Sequence, residues 1–187
     1  MRRWLLPALM ITLLLTGCGG SQPERRLEKL REDLGAAQTV TLAADITASL
    51  ENEVFSCAVR CTAKPDSATV ELTAPETVAG LRAVTDGEGT RIEYDGVSLG
   101  VGSTLDGRIS PAGALPQLLT ALRTGSVLRS WTEREGERQS LVAEFYVTDD
   151  TTLAVWLDAE ALTPRSAEFR RDGAVVLRCE IRDFTYE

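Results

Sequence analysis

Histidine is absent from all 187 residues. That removes the side chain most used as a general base near neutral pH, and with it the Ser-His-Asp arrangement and most zinc sites. Lysine is nearly absent as well: Lys29 and Lys64 stand alone, and the remaining positive charge is arginine. Acidic residues outnumber basic ones by 28 to 20, for a formal net charge of −8. A chain this acidic is repelled by polyanions, so a nucleic-acid partner is not expected. No apolar run approaches the roughly 20 residues that span a bilayer as a helix. Asp149-Asp150 before Thr151-Thr152 reads as an acidic hairpin turn rather than a calcium loop. With no nucleophile, base or metal cluster in view, neither enzymatic activity nor a cofactor is expected.

What is present begins at the first residues. Arg2 and Arg3 precede an apolar stretch, Leu5 to Leu15, as the charged and hydrophobic regions of a signal peptide do. The stretch ends in Leu15-Thr16-Gly17-Cys18, which resembles the bacterial lipobox. Small residues there let the chain lie extended in a peptidase groove, and the cysteine thiol takes a diacylglyceryl group. The resemblance implies cleavage after Gly17, lipidation of Cys18, and an extracytoplasmic protein anchored to the cell membrane through that lipid. Removing Arg2 and Arg3 and no acidic residue takes the net charge from −8 to −10. Residues 1–17 are then the signal peptide, 18–23 a lipidated tether, and 24–187 one domain long enough to bury a core.

Glu24 to Leu34 reads as an amphipathic helix with Leu27, Leu30 and Leu34 on one face and Gly35 just past its end. From residue 40 the period becomes two. Val40, Leu42, Ala44, Ile46, Ala48 and Leu50 alternate with Thr41, Asp45, Thr47 and Ser49, the mark of a half-buried strand. Similar alternation runs through Phe55, Cys57, Val59 and Cys61, and through Val70 and Leu72. It recurs in Ile92 and Tyr94, and after Asp95-Gly96 in Val97, Leu99 and Val101. Leu141 to Val147, Leu153 to Leu157, Ala167 with Phe169, and Val175 to Ile181 complete the series, the last two joined by Asp172-Gly173. Asp-Gly between such runs is a strong signal for a two-residue hairpin. The count is ten or eleven antiparallel strands. Glu133, Glu135 and Glu137 with Arg134 and Arg138 read as a solvated loop, and Trp131 and Trp156 as packing within strands.

One segment breaks the pattern. Ser110-Pro111 is an N-cap followed by proline at the first helical position, and Leu115, Leu118, Leu119 and Leu122 form an apolar stripe ending before Gly125. Pro116 is expected to divide it into a turn over 111–114 and a helix over 116–123. Of the remaining cysteines, Cys57 and Cys61 lie roughly 13 Å apart if they share one strand, too far to bridge each other. Cys179 could bridge either one, or all three are small buried hydrophobes.

Three stretches resemble the LolA-like superfamily of lipoprotein carriers, their receptors and glycolipid-binding lipoproteins. They are Glu71-Leu72-Thr73-Ala74-Pro75 with Gly80 and Asp86-Gly87; the helical insert after Ile109-Ser110-Pro111; and Val155-Trp156-Leu157-Asp158 with Leu162, Pro164, Asp172-Gly173 and Phe184. The resemblance implies a mainly β (α+β) fold. A large curved antiparallel sheet, an open half-barrel of about eleven strands, would pack helices on its concave face. It also implies that an acyl chain of a lipid or lipoprotein binds in an apolar cavity there, of roughly 300 Å³ or more. The candidate lining is Ile46, Phe55, Val59, Leu72, Ile92, Tyr94, Leu99, Leu115, Leu118, Leu119, Leu122, Phe145, Val155 and Leu157. The alternative is a structural or regulatory lipoprotein with a filled core, working through contacts with another envelope protein.

Overall fold

The computed structural model describes residues 22–50, 53–102 and 110–187. The expected lipidation site, Cys18, and the residues that resemble a lipobox lie outside them. Helix α1 (Gln22–Ala36) buries Leu27, Leu30 and Leu34, the stripe visible in the sequence, and extends through Gly35. Six strands follow as a meander: β1 (Val40–Leu50), β2 (Glu53–Lys64), β3 (Ser67–Ala74), β4 (Arg82–Asp86), β5 (Gly89–Tyr94) and β6 (Val97–Gly102). After helix α2 (Pro111–Thr124) come β7 (Val127–Glu135), β8 (Arg138–Thr148), β9 (Thr151–Asp158), β10 (Pro164–Arg171) and β11 (Ala174–Tyr186). All eleven belong to one open antiparallel sheet in the order β6-β5-β4-β3-β2-β1-β11-β10-β9-β8-β7.

The two meanders meet where the last strand lies beside the first. Ile46 stands opposite Cys57 on one side and Cys179 on the other. Asp95-Gly96 and Asp172-Gly173 each place two successive residues at positive φ, the backbone that a two-residue hairpin turn requires and that aspartate and glycine tolerate.

α2 does not divide at Pro116. It runs unbroken from Pro111, capped by the Ser110 hydroxyl, which accepts from the Gly113 N–H at 3.1 Å. Leu115, Leu118 and Leu122 are fully buried, and that packing offsets the hydrogen bond the proline cannot donate. At the other end Gly125 donates to the Ala121 carbonyl at 2.9 Å. A Cβ on Gly125 would sit 2.7 Å from Ala121 Cα, so only glycine fits. The Gly125 carbonyl in turn accepts from Arg31, and that of Ala159 from Arg26, pinning α1 at two places.

The two helices divide the concave side. α2 lies against β1, β2 and β3, while α1 lies against α2, β7 and β8. Between helices and sheet runs one apolar cluster from Leu27 to Cys179.

The charged run at 133–138 is a correction to the sequence reading. It is the tip of the β7–β8 hairpin, turning at Gly136 with φ +60, rather than a loop. An edge strand with one neighbour can carry charge on both faces, which hid its alternation. Its Glu133 accepts from the indole N–H of Trp131 at 2.7 Å and of Trp156 at 2.9 Å, bridging two tryptophans that flank Val142 on the convex face. Arg129 lies over the Trp131 ring at 4.9 Å.

Farther along that face Glu168, nearly buried, accepts from Arg170 and Arg178 at 2.6 Å each. Burial pushes its carboxyl up, but the two guanidinium groups outweigh burial and hold it below the ordinary glutamate value. A carboxylate with a depressed folded pKa stabilises above its unfolded value, about 4.3, and loses that contribution as pH falls through the folded value. Glu168→Gln is therefore expected to lower stability by about 1–2 kcal/mol at pH 7 in urea unfolding. The gap from the unsubstituted protein should narrow as pH drops below about 4.

Candidate functional site

Alternation sorts the sheet into two faces, and the concave one collects nearly every candidate lining residue. Ile46, Val59, Phe145, Val155 and Leu157 are 0–1% exposed, and Leu72 is 8% exposed. Leu115, Leu118, Leu119 and Leu122 descend on them from α2 at 0–2% exposure. Phe55 packs against the same cluster, partly buried. These eleven residues are brought together, and their side chains fill the space beneath the helices.

The other three stand apart. Register carries the concave face outward from Val70 to Ala83, then to Ile92, then to Leu99, with Tyr94 opposite Val97. Neither helix has a substantial contact with β4, β5 or β6. Ile92 is half-buried there, while Tyr94, Leu99 and Val97 are 48%, 64% and 69% exposed. The apolar stripe thus continues past the packed core onto an end of the sheet that no described residue covers. Val97 was missing from the candidate lining; its place after Asp95-Gly96, in step with Leu99, was the available signal.

The opposite face of this end is charged. Arg91 binds Asp86 at 2.5 Å and Glu93 at 3.0 Å, and Arg82 lies 3.8 Å from Glu93. The hydrogen bond from Arg91 holds the Asp86 carboxyl below its usual range. An open cavity of about 400 Å³ lies where Gly80, Arg82 and Glu93 meet Tyr94 and Val97 at the β5–β6 turn. Its lining mixes charge with two apolar side chains, unlike the apolar cavity expected between sheet and helices. Among the described residues no group of histidine, cysteine, aspartate or glutamate is placed to hold a metal ion. No described helix is long and apolar enough to cross a membrane.

The candidate disulfide is not formed. Cys57, Cys61 and Cys179 are free and buried. Cys57 and Cys179 face Ile46 from opposite sides, so the width of β1 separates them. Two strand spacings put their Cα atoms about 10 Å apart, beyond the roughly 7 Å a bridge can span. Cys61, opposite Leu42, lies farther along. Burial pushes the thiols of Cys61 and Cys179 up to about 12 and also raises that of Cys57.

The architecture is an open antiparallel half-barrel with two helices on its apolar concave side. No protein-family model matches the sequence, and no curated protein matches it. Solved structures do match its shape. A domain described as an outer membrane lipoprotein-sorting protein domain from Vibrio parahaemolyticus is 11% identical, with 88% of this chain and 93% of that one covered and a TM-score of 0.53. An uncharacterized conserved protein from Thermus thermophilus is 14% identical over 89% and 88% of the two chains, with a TM-score of 0.53. A DUF1329 family protein from Desulfovibrio piger is 10% identical over 89% and 94%, with a TM-score of 0.52. The chain shares the fold of these three structures.

Thiol titration checks the cysteine geometry. A chain beginning at residue 22 is expected to show almost no reaction with a chromogenic disulfide reagent at pH 8 while folded. In denaturant without reductant all of Cys57, Cys61 and Cys179 should react; a single reactive thiol would mean a bridge.

Proposed function

We propose that this protein is an extracytoplasmic lipoprotein, anchored to the cell membrane through Cys18, that holds the acyl chain of a lipid or lipoprotein on its concave face. The observation that carries this reading is the continuity of the apolar stripe. It runs from the buried core, through half-buried Ile92, to exposed Tyr94, Val97 and Leu99, where nothing among the described residues covers it. A chain laid along β5 and β6 would meet the core at its open end. Deeper entry would require α2 to yield, since Leu115, Leu118, Leu119 and Leu122 occupy the space beneath it. The fold supports the reading because a half-barrel with one greasy face and few polar groups suits storage or transfer.

The burial of those four leucines favours a second reading, in which the core is solid and the protein works through contacts with another envelope protein. Native mass spectrometry of the full-length protein, gently extracted from its membrane, separates the two. The acyl-chain reading expects co-purified lipid and uptake of a fluorescent fatty acid. It also expects Ile92→Asp to weaken that uptake at least tenfold, while Leu118→Ala chiefly lowers stability, by about 2–4 kcal/mol. Absence of both lipid and uptake would leave the protein-contact reading standing.

A further inference from the structure

Among the described residues the half-buried arginines are Arg31, Arg91, Arg123, Arg170 and Arg171. Arg91, Arg170 and Arg171 each meet a carboxylate. Arg31 and Arg123 meet none, in a chain with 28 acidic residues. Each of the two also holds its Nε in a buried place without a hydrogen-bond partner. A sealed donor with no acceptor is costly, and a guanidinium is shaped to grip a planar anion with two nitrogens at once.

Both stand at the C-terminal end of α2. Arg123 lies in its last turn. Arg31, from α1, donates to the carbonyl of Gly125, two residues farther on, and lies over the Phe145 ring at 6.0 Å. A cation in a last turn also gains from the helix dipole, but that gain requires neither burial nor a second arginine. The charge of Arg123 is felt by the thiol of Cys61 on the concave floor. Cys61 belongs to a cross-strand row there: it stands opposite Val70, Val70 opposite Ala83, Ala83 opposite Ile92, and Ile92 opposite Leu99. Exposure rises along the row, from 0% at Cys61 and 2% at Val70, through half-buried Ala83 and Ile92, to 64% at Leu99. Four strand spacings make it about 19 Å long, while one leaflet of a bilayer core holds acyl chains about 15 Å deep. A chain lying toward Leu99 would thus bring its headgroup to Arg123.

We propose that Arg123 and Arg31 form an anion site at the junction of α1 and α2, and that the lipid held on the concave face is an anionic one. Its carboxylate or phosphate rests on these guanidinium groups, and its chain follows the row toward Leu99. This rests on the acyl-chain reading above and narrows it to a class of lipid. With a formal net charge of −8 the protein repels anions at long range, so an anion stays only where local cations hold it.

Binding of a pyrene-labelled fatty acid and of its uncharged methyl ester to the gently extracted full-length protein at pH 8 tests the site. The acid is expected to bind at least tenfold more tightly than the ester. Arg123→Gln should abolish that preference by weakening the acid and leaving the ester unchanged, while Arg123→Lys keeps part of it. Arg31→Gln should reduce the preference with an unchanged circular dichroism spectrum. If Arg123 served only to cap its helix, Arg123→Gln would lower thermal stability and shift acid and ester alike. Inorganic phosphate should compete with the acid and not with the ester. Equal binding of acid and ester, or a preference that survives Arg123→Gln, would overturn the anion site and leave the acyl-chain reading standing. Phosphate binding that depends on Arg123, with neither probe taken up, would assign the site to a free anion and overturn the lipid. Binding of neither probe and no phosphate would overturn both readings.

Discussion

The pairing of the first strand with the last is the constraint on which the rest depends. β1 and β11 are separated by nearly the whole chain, and within the sheet, among the described residues, only their ladder joins the six-strand meander to the five-strand one. It is extended at one end by backbone hydrogen bonds from Gln38 and Thr39 to the Glu187 carbonyl and from Glu187 to Thr39. Without it the apolar faces of the two meanders would not be continuous. With it, the apolar residues of both halves line one concave surface, and α1 and α2 have a common floor to cover.

That surface is unevenly covered. Between α2 and the central strands the leucines meet Ile46, Val59 and Leu72, and all of them are buried. Beyond β3 the described helices give out and the stripe goes on without them. The convex face shows the opposite habit: its buried acids are paired, Glu144 with Arg129 and Glu168 with Arg170 and Arg178, and Trp131 and Trp156 are tied to Glu133. The sheet therefore carries its charge on one face and on the hairpin tips, and α1 carries more of it. The concave face is left apolar, and its far end lies along an uncharged edge.

Much of the architecture was legible from periodicity. The alternation of Val40 to Leu50 and the Asp-Gly pairs at 95–96 and 172–173 depend on local backbone geometry, and the structure has them where the pattern places them. The leucine stripes of both helices were equally plain. The reading failed where local signals were outvoted. Pro116 looks like a breaker, yet the stripe packs too well to let the helix end; the run around Glu133 looks like a loop, yet an edge strand tolerates charge on both faces. Among the candidate lining residues, spacing alone put Ile46 and Leu99 on equal terms. They share a face and differ wholly in burial, because burial depends on where the helices stop.

The sequence by itself determined the period of each element, the face to which each apolar residue turns, and the sites of the turns. Those follow from the helical and strand repeats and from backbone preferences at proline, glycine and aspartate. Only the tertiary structure decided which strands are neighbours, and so that β1 stands between Cys57 and Cys179 and leaves both thiols free. It also decided that the sheet stays open, with β6 and β7 at its ends. The physical reason is common to both: these are contacts between residues far apart in the chain, settled by the total burial of a shared core rather than by any preference a short stretch carries.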